Sequence, residues 1–292
     1  MMILKLLRVR HWVKNLFIFL PIFFSGELFD IYKSYNTLLA CVAFSFIASF
    51  VYIINDIFDI NFDKNHREKK RRPIASGKIS KNSATIIGVS LLFIGLTILF
   101  FLSYSSFMIT MIYVILNFLY SIKLKHIAIV DFVIVSLGFV IRIIIGSDVS
   151  KVDLTNWTIV LVFLLSLFLA VSKRRDDVYQ FEHEKKMNRK VVTQYNLKFM
   201  DKILNIISSS LLVTYLLFIT SAEISDKYTQ EYLLITFVFV LIGVFRYNQI
   251  SYVFNQSGSP VKILFTDKFL QIVIICWIAT FFVIIYSTTL LT

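Results

Sequence analysis

Forty-one consecutive residues, Asn82 to Ile122, carry no formal charge. A helix crosses the hydrocarbon of a bilayer in about 20 apolar residues, so this stretch holds two spans, with Ser103-Tyr104-Ser105-Ser106 as the turn between them. Composition agrees: 58% of the chain is hydrophobic and 16% is charged, against about 25% charged in soluble domains. A water-soluble globule is excluded, and 30 Phe with 3 Pro and 8 Gly exclude disorder and collagen. The long Ile/Leu/Phe runs lack the alternation of a membrane β-barrel. The expected class is all-α, a single integral-membrane domain over residues 1–292. Nine spans are expected: roughly 15–31, 36–57, 83–102, 105–121, 128–147, 156–172, 203–222, 231–246 and 268–290. Pro21 and Ser25-Gly26 interrupt the first.

The net charge of +12 is ambiguous until the charges are placed. With a cytoplasmic N-terminus, 26 of the 30 Lys and Arg fall in inside segments; Lys33, Lys151 and Lys227 fall outside, and Arg142 within a span. That is a positive-inside distribution, and it needs no nucleic-acid partner. Cys41 and Cys276 lie in apolar spans and fit packed core residues. The four His residues have no ligand spacing, and no Walker or dinucleotide-binding loop is present.

Two polar concentrations stand out. At the end of the second span, Asp56, Asp59 and Asp63 recur at i, i+3 and i+7, with Asn55 four before Asp59. A continuous helix would stack them on one face. Such carboxylates repel one another unless a cation sits among them, and hard oxygen ligands suit Mg²⁺. A solvated helix end paired with nearby Lys and Arg is the plainer alternative. The cluster, however, is followed at once by His66-Arg67-Glu68-Lys69-Lys70-Arg71-Arg72-Pro73. Metal ligands beside a cationic strip are what a diphosphate requires.

The second concentration, Ser172-Lys173-Arg174-Arg175-Asp176-Asp177, follows the sixth span. Four spans separate it from the first, which suggests a parallel internal repeat with corresponding loops after spans two and six. Lys173 and Asp177 could simply pair along a helix. Asp131 and Arg142 share the fifth span, about three turns apart. A charge as deep as Arg142 faces a polar cavity or a buried partner.

Asn55-Asp56-x-x-Asp59-x-x-x-Asp63 is similar to the first aspartate motif of UbiA-type intramembrane prenyltransferases. Asp63-x-x-His66-x-x-Lys69-Lys70-x-Arg72-Pro73-Ile74-Ala75-x-Gly77 resembles the signature of one branch, the decaprenyl-phosphate phosphoribosyltransferases. Trp12-Val13-Lys14-Asn15, Tyr120-Ser121-x-x-Leu124-Lys125, Gly138-Phe139-Val140-x-Arg142, Lys173-Arg174, Arg246-Tyr247, Asp267 and Trp277 extend the likeness over nearly the whole chain. Lys70 stands where the branch usually has Arg, Val9 replaces a usual Pro and Asp177 a Glu.

The resemblance implies a UbiA-type helical bundle with a cytoplasm-facing polar pocket, in a bacterial-type plasma membrane. It implies transfer of a 5-phosphoribosyl group from phosphoribosyl diphosphate to a polyprenyl phosphate, with Mg²⁺. Asn55, Asp56, Asp59 and Asp63 would hold the metal. Lys14, His66, Lys69, Lys70, Arg72, Tyr120, Lys123 and Lys125 would line the phosphates, and Asp131, Arg142, Lys173, Arg174 and Asp177 would complete the pocket. A phosphate nucleophile is already anionic and needs no general base, which leaves a carboxylate such as Asp131 or Asp177 to orient the ribose or stabilise its developing charge. Two rivals remain: an aromatic prenyltransferase using a polyprenyl diphosphate, and a transporter of anionic solutes or lipids. The oligomeric state, homo-oligomer included, stays open.

Overall fold

The computed structural model describes residues 2–64, 69–185, 189–221, 224 and 230–290. These residues form helices joined by turns, in two compact units, Met1–Asp153 and Leu154–Thr292. Among them, eight helices are long and apolar enough to cross a membrane.

In the first unit α1 (Met2–Leu6) leads into a 3₁₀ segment, Val9–Phe19, and a short α2 (Leu20–Phe24). Then come α3 (Ile31–Phe58), α4 (Ile60–Lys64), α5 (Lys81–Leu102), α6 (Tyr104–Ile122) and α7 (Val130–Ser150). The expected first span, 15–31, is therefore not one span-length helix. Pro21 sits in the first turn of α2, and the chain leaves that helix through Gly26 at φ 83, a conformation glycine adopts without steric cost. The 3₁₀ segment nevertheless runs antiparallel to α3. Arg8 pairs with Asp56, Trp12 Nε1 donates to Ser49 Oγ (3.0 Å), and Asn15 Nδ2 donates to Ser45 Oγ (2.8 Å). Close approach to α7 depends on Gly146, where a Cβ would overlap the Ile18 carbonyl.

Small residues likewise let α5 pack on α3, since a Cβ on Gly95 would lie 2.7 Å from the Ala43 carbonyl oxygen. Ala40, Ala43, Phe44 and Ile47 of α3 form a core with Ile18, Tyr113, Ile141 and Ile145. Outward faces stay apolar, Phe101 being 81% exposed, a surface matched to lipid tails. The expected turn in the charge-free stretch falls at Ser103, whose hydroxyl accepts from the Ser106 amide (3.4 Å). Asp148 of α7 secures it by accepting from both the Ser103 and Ser106 hydroxyls.

The second unit contains α8 (Asn156–Glu184), α9 (Leu197–Ile219), α10 (Gln230–Tyr252), α11 (Pro260–Thr266) and α12 (Lys268–Leu290). Helix α8 packs on α9, and α10 on α12. Trp277 Nε1 donates to Tyr215 Oη (2.9 Å), which donates to Thr236 Oγ1 (2.8 Å). Such chains satisfy polar groups where water is scarce. Both cysteines are free thiols.

Candidate active site

The aspartate cluster lies where α3 ends. Asp59 caps the helix at φ −91 and ψ 5, and α4 resumes one residue later. Helical hydrogen bonds bracket the irregularity, from the Asp59 amide to the Asn55 carbonyl (3.0 Å) and from the Asp63 amide to the Asp59 carbonyl (2.8 Å). The single stacked face expected from the spacing is thus kinked at its middle carboxylate. Asp56 and Asp63 are buried, whereas the Asp59 side chain retains 27% exposure.

Each carboxylate meets a basic group. Arg72 Nη1 donates to Asp56 Oδ1 (2.9 Å) and to Asp63 Oδ2 (2.6 Å), clamping the two together. Lys125 Nζ donates to Asp59 Oδ1 (2.6 Å), and Asn55 Nδ2 donates to Asp59 Oδ2 (3.1 Å). Burial pushes the Asp63 carboxyl above the ordinary carboxylate range, and the Arg72 guanidinium beside it only partly offsets that. The other oxygen, Asp63 Oδ1, is buried with no hydrogen-bond partner. An orphaned carboxylate oxygen is costly, and it marks where a further cation or donor would be accepted.

The basic strip is held by its apolar tail. Ile74 packs with Leu6, Ile53, Ile60 and Ala84, which places Arg72 against the carboxylates while Lys70 stays exposed. Lys69 lies over the Phe62 ring (5.7 Å to the centroid). Lys125 is buried in the turn Leu124–His126, Lys123 is exposed beside it, and Tyr120 is buried at the end of α6. Asp131 is buried in the first turn of α7. The preceding Ile129 has φ 70 and Arg8 has φ 52. Positive φ outside glycine stores about 1–3 kcal/mol and clusters at functional sites. His66 lies outside the described residues.

Arg8 is the residue the sequence reading missed. It shares Asp56 with Arg72 and rests against the Tyr52 ring (4.9 Å). The only sequence signal was its place in a basic N-terminal run on the same expected side as the aspartates.

Lys14 and Arg142 come together elsewhere. Arg142 is buried, its Nε donating to Asn15 Oδ1 (2.9 Å) and its Nη1 to the Gly138 carbonyl (2.5 Å). Its guanidinium carbon lies 5.3 Å from the Phe139 ring centroid, and Lys14 Nζ lies 5.9 Å from the same ring.

The second unit departs from expectation. Lys173 to Asp177 do not form a loop; α8 runs through them to Glu184. The reason is local neutralisation. Arg174 Nη1 donates to Asp177 Oδ2 (2.5 Å) one turn on, and Gln180 Nε2 donates to Asp176 Oδ2 (2.7 Å). Arg175 is buried and bonds Asp201 Oδ1 (2.6 Å), the Ser251 carbonyl (2.6 Å) and Asn255 Oδ1 (2.7 Å). Only Lys173 of the run is exposed. Arg246 and Asp267 form an ion pair at 2.7 Å, and that pairing holds the Asp267 carboxyl below its ordinary range.

Among the described residues no three His, Cys, Asp or Glu side chains converge tightly enough to enclose a metal ion. The chemistry of the donors still fits one. Asn55, Asp56, Asp59 and Asp63 offer hard oxygen ligands, one of them orphaned. A divalent cation would take over oxygens that Arg8, Arg72 and Lys125 now hold.

Comparison with known proteins bears on this geometry. The profile of the UbiA prenyltransferase family matches residues 16–266. A decaprenyl-phosphate phosphoribosyltransferase of Mycobacterium tuberculosis is 27% identical over 282 residues, 95% of this chain and 92% of the relative. One from Mycolicibacterium smegmatis is 28% identical, covering 97% of this chain and 92% of the relative. In fold, the chain matches a UbiA homolog from Archaeoglobus fulgidus bound to DMAPP and Mg²⁺, with a TM-score of 0.73 and 19% identity, over 98% of this chain and 99% of that one.

Proposed function

The chain belongs to the UbiA prenyltransferase family, a multi-pass membrane protein, and on that footing we propose that it transfers a 5-phosphoribosyl group from phosphoribosyl diphosphate to a polyprenyl phosphate. The observation that carries this reading is the pairing of Asp56, Asp59 and Asp63 with Arg8, Arg72 and Lys125. It is supported by relatives named decaprenyl-phosphate phosphoribosyltransferase that align over nearly the whole chain.

Asn55, Asp56, Asp59 and Asp63 would hold Mg²⁺, which neutralises a diphosphate leaving group when bound. The basic residues then do the rest. Arg72 and Lys125, displaced from their carboxylates, turn to phosphate oxygens, where Arg binds two at once and Lys acts as a point charge. Lys69, Lys70, Lys123 and Tyr120 complete the phosphate-binding set, and His66 shares this role. Asp131, fixed at the start of α7, orients ribose hydroxyls. In the second unit Lys173, Arg174 and Asp177 are assigned to substrate binding. In the reaction a phosphate oxygen of the lipid forms a bond to ribose C1 as the bond from C1 to diphosphate breaks, and diphosphate leaves with that electron pair. The site faces the cytoplasm of a bacterial-type plasma membrane, in keeping with the basic residues on one side.

Purified protein incubated with labelled phosphoribosyl diphosphate, Mg²⁺ and a polyprenyl phosphate should yield lipid-extractable label. No such product, or an equal yield from Asp59→Ala, overturns the proposal. Product instead from a polyprenyl diphosphate and an aromatic acceptor assigns the chain to aromatic prenylation.

A further inference from the structure

Within the second unit, α10 and α12 border an open cleft of about 440 Å³, lined by Ile242, Phe245, Arg246, Gln249 and Phe269. That volume falls in the range of ligand pockets, about 300–1,000 Å³. The helices that border the cleft set its depth in the bilayer. The apolar spans Tyr232–Tyr252 and Lys268–Ser287 meet at this end. Lys268 and Phe269 therefore mark the membrane boundary, and Ile242 lies about 15 Å along α10 from Tyr252.

The polar end of the cleft is firmly built. Arg246 Nη2 donates to Asp267 Oδ2 (2.7 Å) and its Nη1 to Gln249 Oε1 (2.6 Å), while the Phe254 and Phe269 rings flank its guanidinium at 5.6 Å each. Asp267 is held in turn, its Oδ1 accepting from the Leu270 amide (2.8 Å). Gln271 Nε2 donates to the Leu264 carbonyl (2.9 Å), which ties α11, the helix of Lys262, to the start of α12. Residues 245–272 hold three bases, Arg246, Lys262 and Lys268, and one acid, Asp267, so three less one leaves a net +2. Lys262 and Lys268 are exposed, as are the rings of Phe254, Phe265 and Phe269. Lysines beside apolar rings are the composition of a surface that lies at a lipid headgroup layer.

We propose that this cleft is a structural lipid site, which takes one acyl chain of an anionic diacyl phospholipid while the phosphate lies at Lys262 and Lys268. An apolar trough open to hydrocarbon suits a chain, and each Lys near the membrane surface attracts an anionic headgroup. The occupant is bulk lipid rather than a phosphorylated substrate. The one guanidinium at the mouth is bound to Asp267 and Gln249, and the two lysines are exposed point charges. Such a mouth suits a lipid present in excess. The site stands independently of the proposed reaction.

Delipidated full chain in detergent is titrated with palmitoyl-oleoyl phosphatidylglycerol or the matching phosphatidylcholine, and bound lipids are counted by native mass spectrometry. Wild type should prefer phosphatidylglycerol. The double variant Lys262→Gln/Lys268→Gln should bind it about thirtyfold more weakly, the scale of two lysines near a charged surface, and bind phosphatidylcholine as wild type does. Ile242→Trp fills the cleft and should weaken binding of both lipids. Both lysines are exposed, so the double variant keeps the test valid if Ile242→Trp does not fold. The proposal falls if wild type does not prefer phosphatidylglycerol, or if the double variant or a folded Ile242→Trp retains that lipid as wild type does. Displacement by an equimolar polyprenyl phosphate would assign the cleft to the transferred lipid, and a dimer formed at the expense of lipid binding would assign it to a second copy. Either result overturns the proposal.

Discussion

The polar clusters after α3 and within α8 look alike in sequence and differ in what their charges do. At Asp59 the helix breaks, and the carboxylates pair with residues of other segments: Arg8, Arg72 and Lys125. In α8 the helix continues, and Arg174 and Asp176 pair within a turn, to Asp177 and Gln180. Arg175 is spent on pinning α9 and the end of α10. A charge cluster thus points to ligand binding when its partners are basic groups with a second use. Where a charge is tied to a packed neighbouring helix, as Arg175 is to Asp201, it serves the stability of the bundle, and the cluster divides between the two uses.

Five substitutions test that contrast, in falling order of effect. Asp59→Ala should lower transfer of label to lipid about 1,000-fold, the scale of losing a group that stabilises the leaving-group charge. Arg72→Ala should cost about 100-fold in the same assay, since it removes one bidentate contact and leaves Asp56 and Asp63 in repulsion. Arg175→Ala belongs to the other class. It should lose about 2 kcal/mol in denaturant unfolding, less than a fully buried pair because Asp201 is partly exposed. If Arg175→Ala instead abolished transfer while unfolding as wild type does, the division between the clusters would fail. Gly258→Ala places a Cβ on Asp176 Oδ2 and should destabilise by about 1 kcal/mol, with transfer preserved per folded molecule. Lys70→Arg should change the donor's KM by only about twofold, because an exposed side chain trades a point charge for a bidentate one.

Much of this was legible beforehand. Uninterrupted apolar runs located eight helices, although α8, α9 and α10 extend beyond the expected spans 156–172, 203–222 and 231–246 into polar sequence, and the turn at Ser103 lay where the charge-free stretch exceeded one span. The aspartate spacing and the Lys69–Arg72 strip identified the first cluster. The 3₁₀ path of Val9–Phe19 was not legible, because hydropathy records burial and does not distinguish an α-helix from a tighter coil. Nor was Arg8 legible, since its partner stands 48 residues away. The alternative of a helix end paired with nearby Lys and Arg describes Arg72 alone; Arg8 and Lys125 reach the carboxylates from 48 and 66 residues away, and Asp63 Oδ1 is left orphaned.

Sequence alone determined the class, the apolar segments and which residue types gather at their ends, because hydropathy and spacing are local properties of the chain. Tertiary structure decided which charges cancel. Asp56 acquired two guanidinium partners, Arg175 became a buried clamp, and Arg142 was left to hydrogen-bond neutral groups. The +12 net charge could not foretell that division. A Coulomb interaction depends on distance and burial, and both are set by the path of the whole chain.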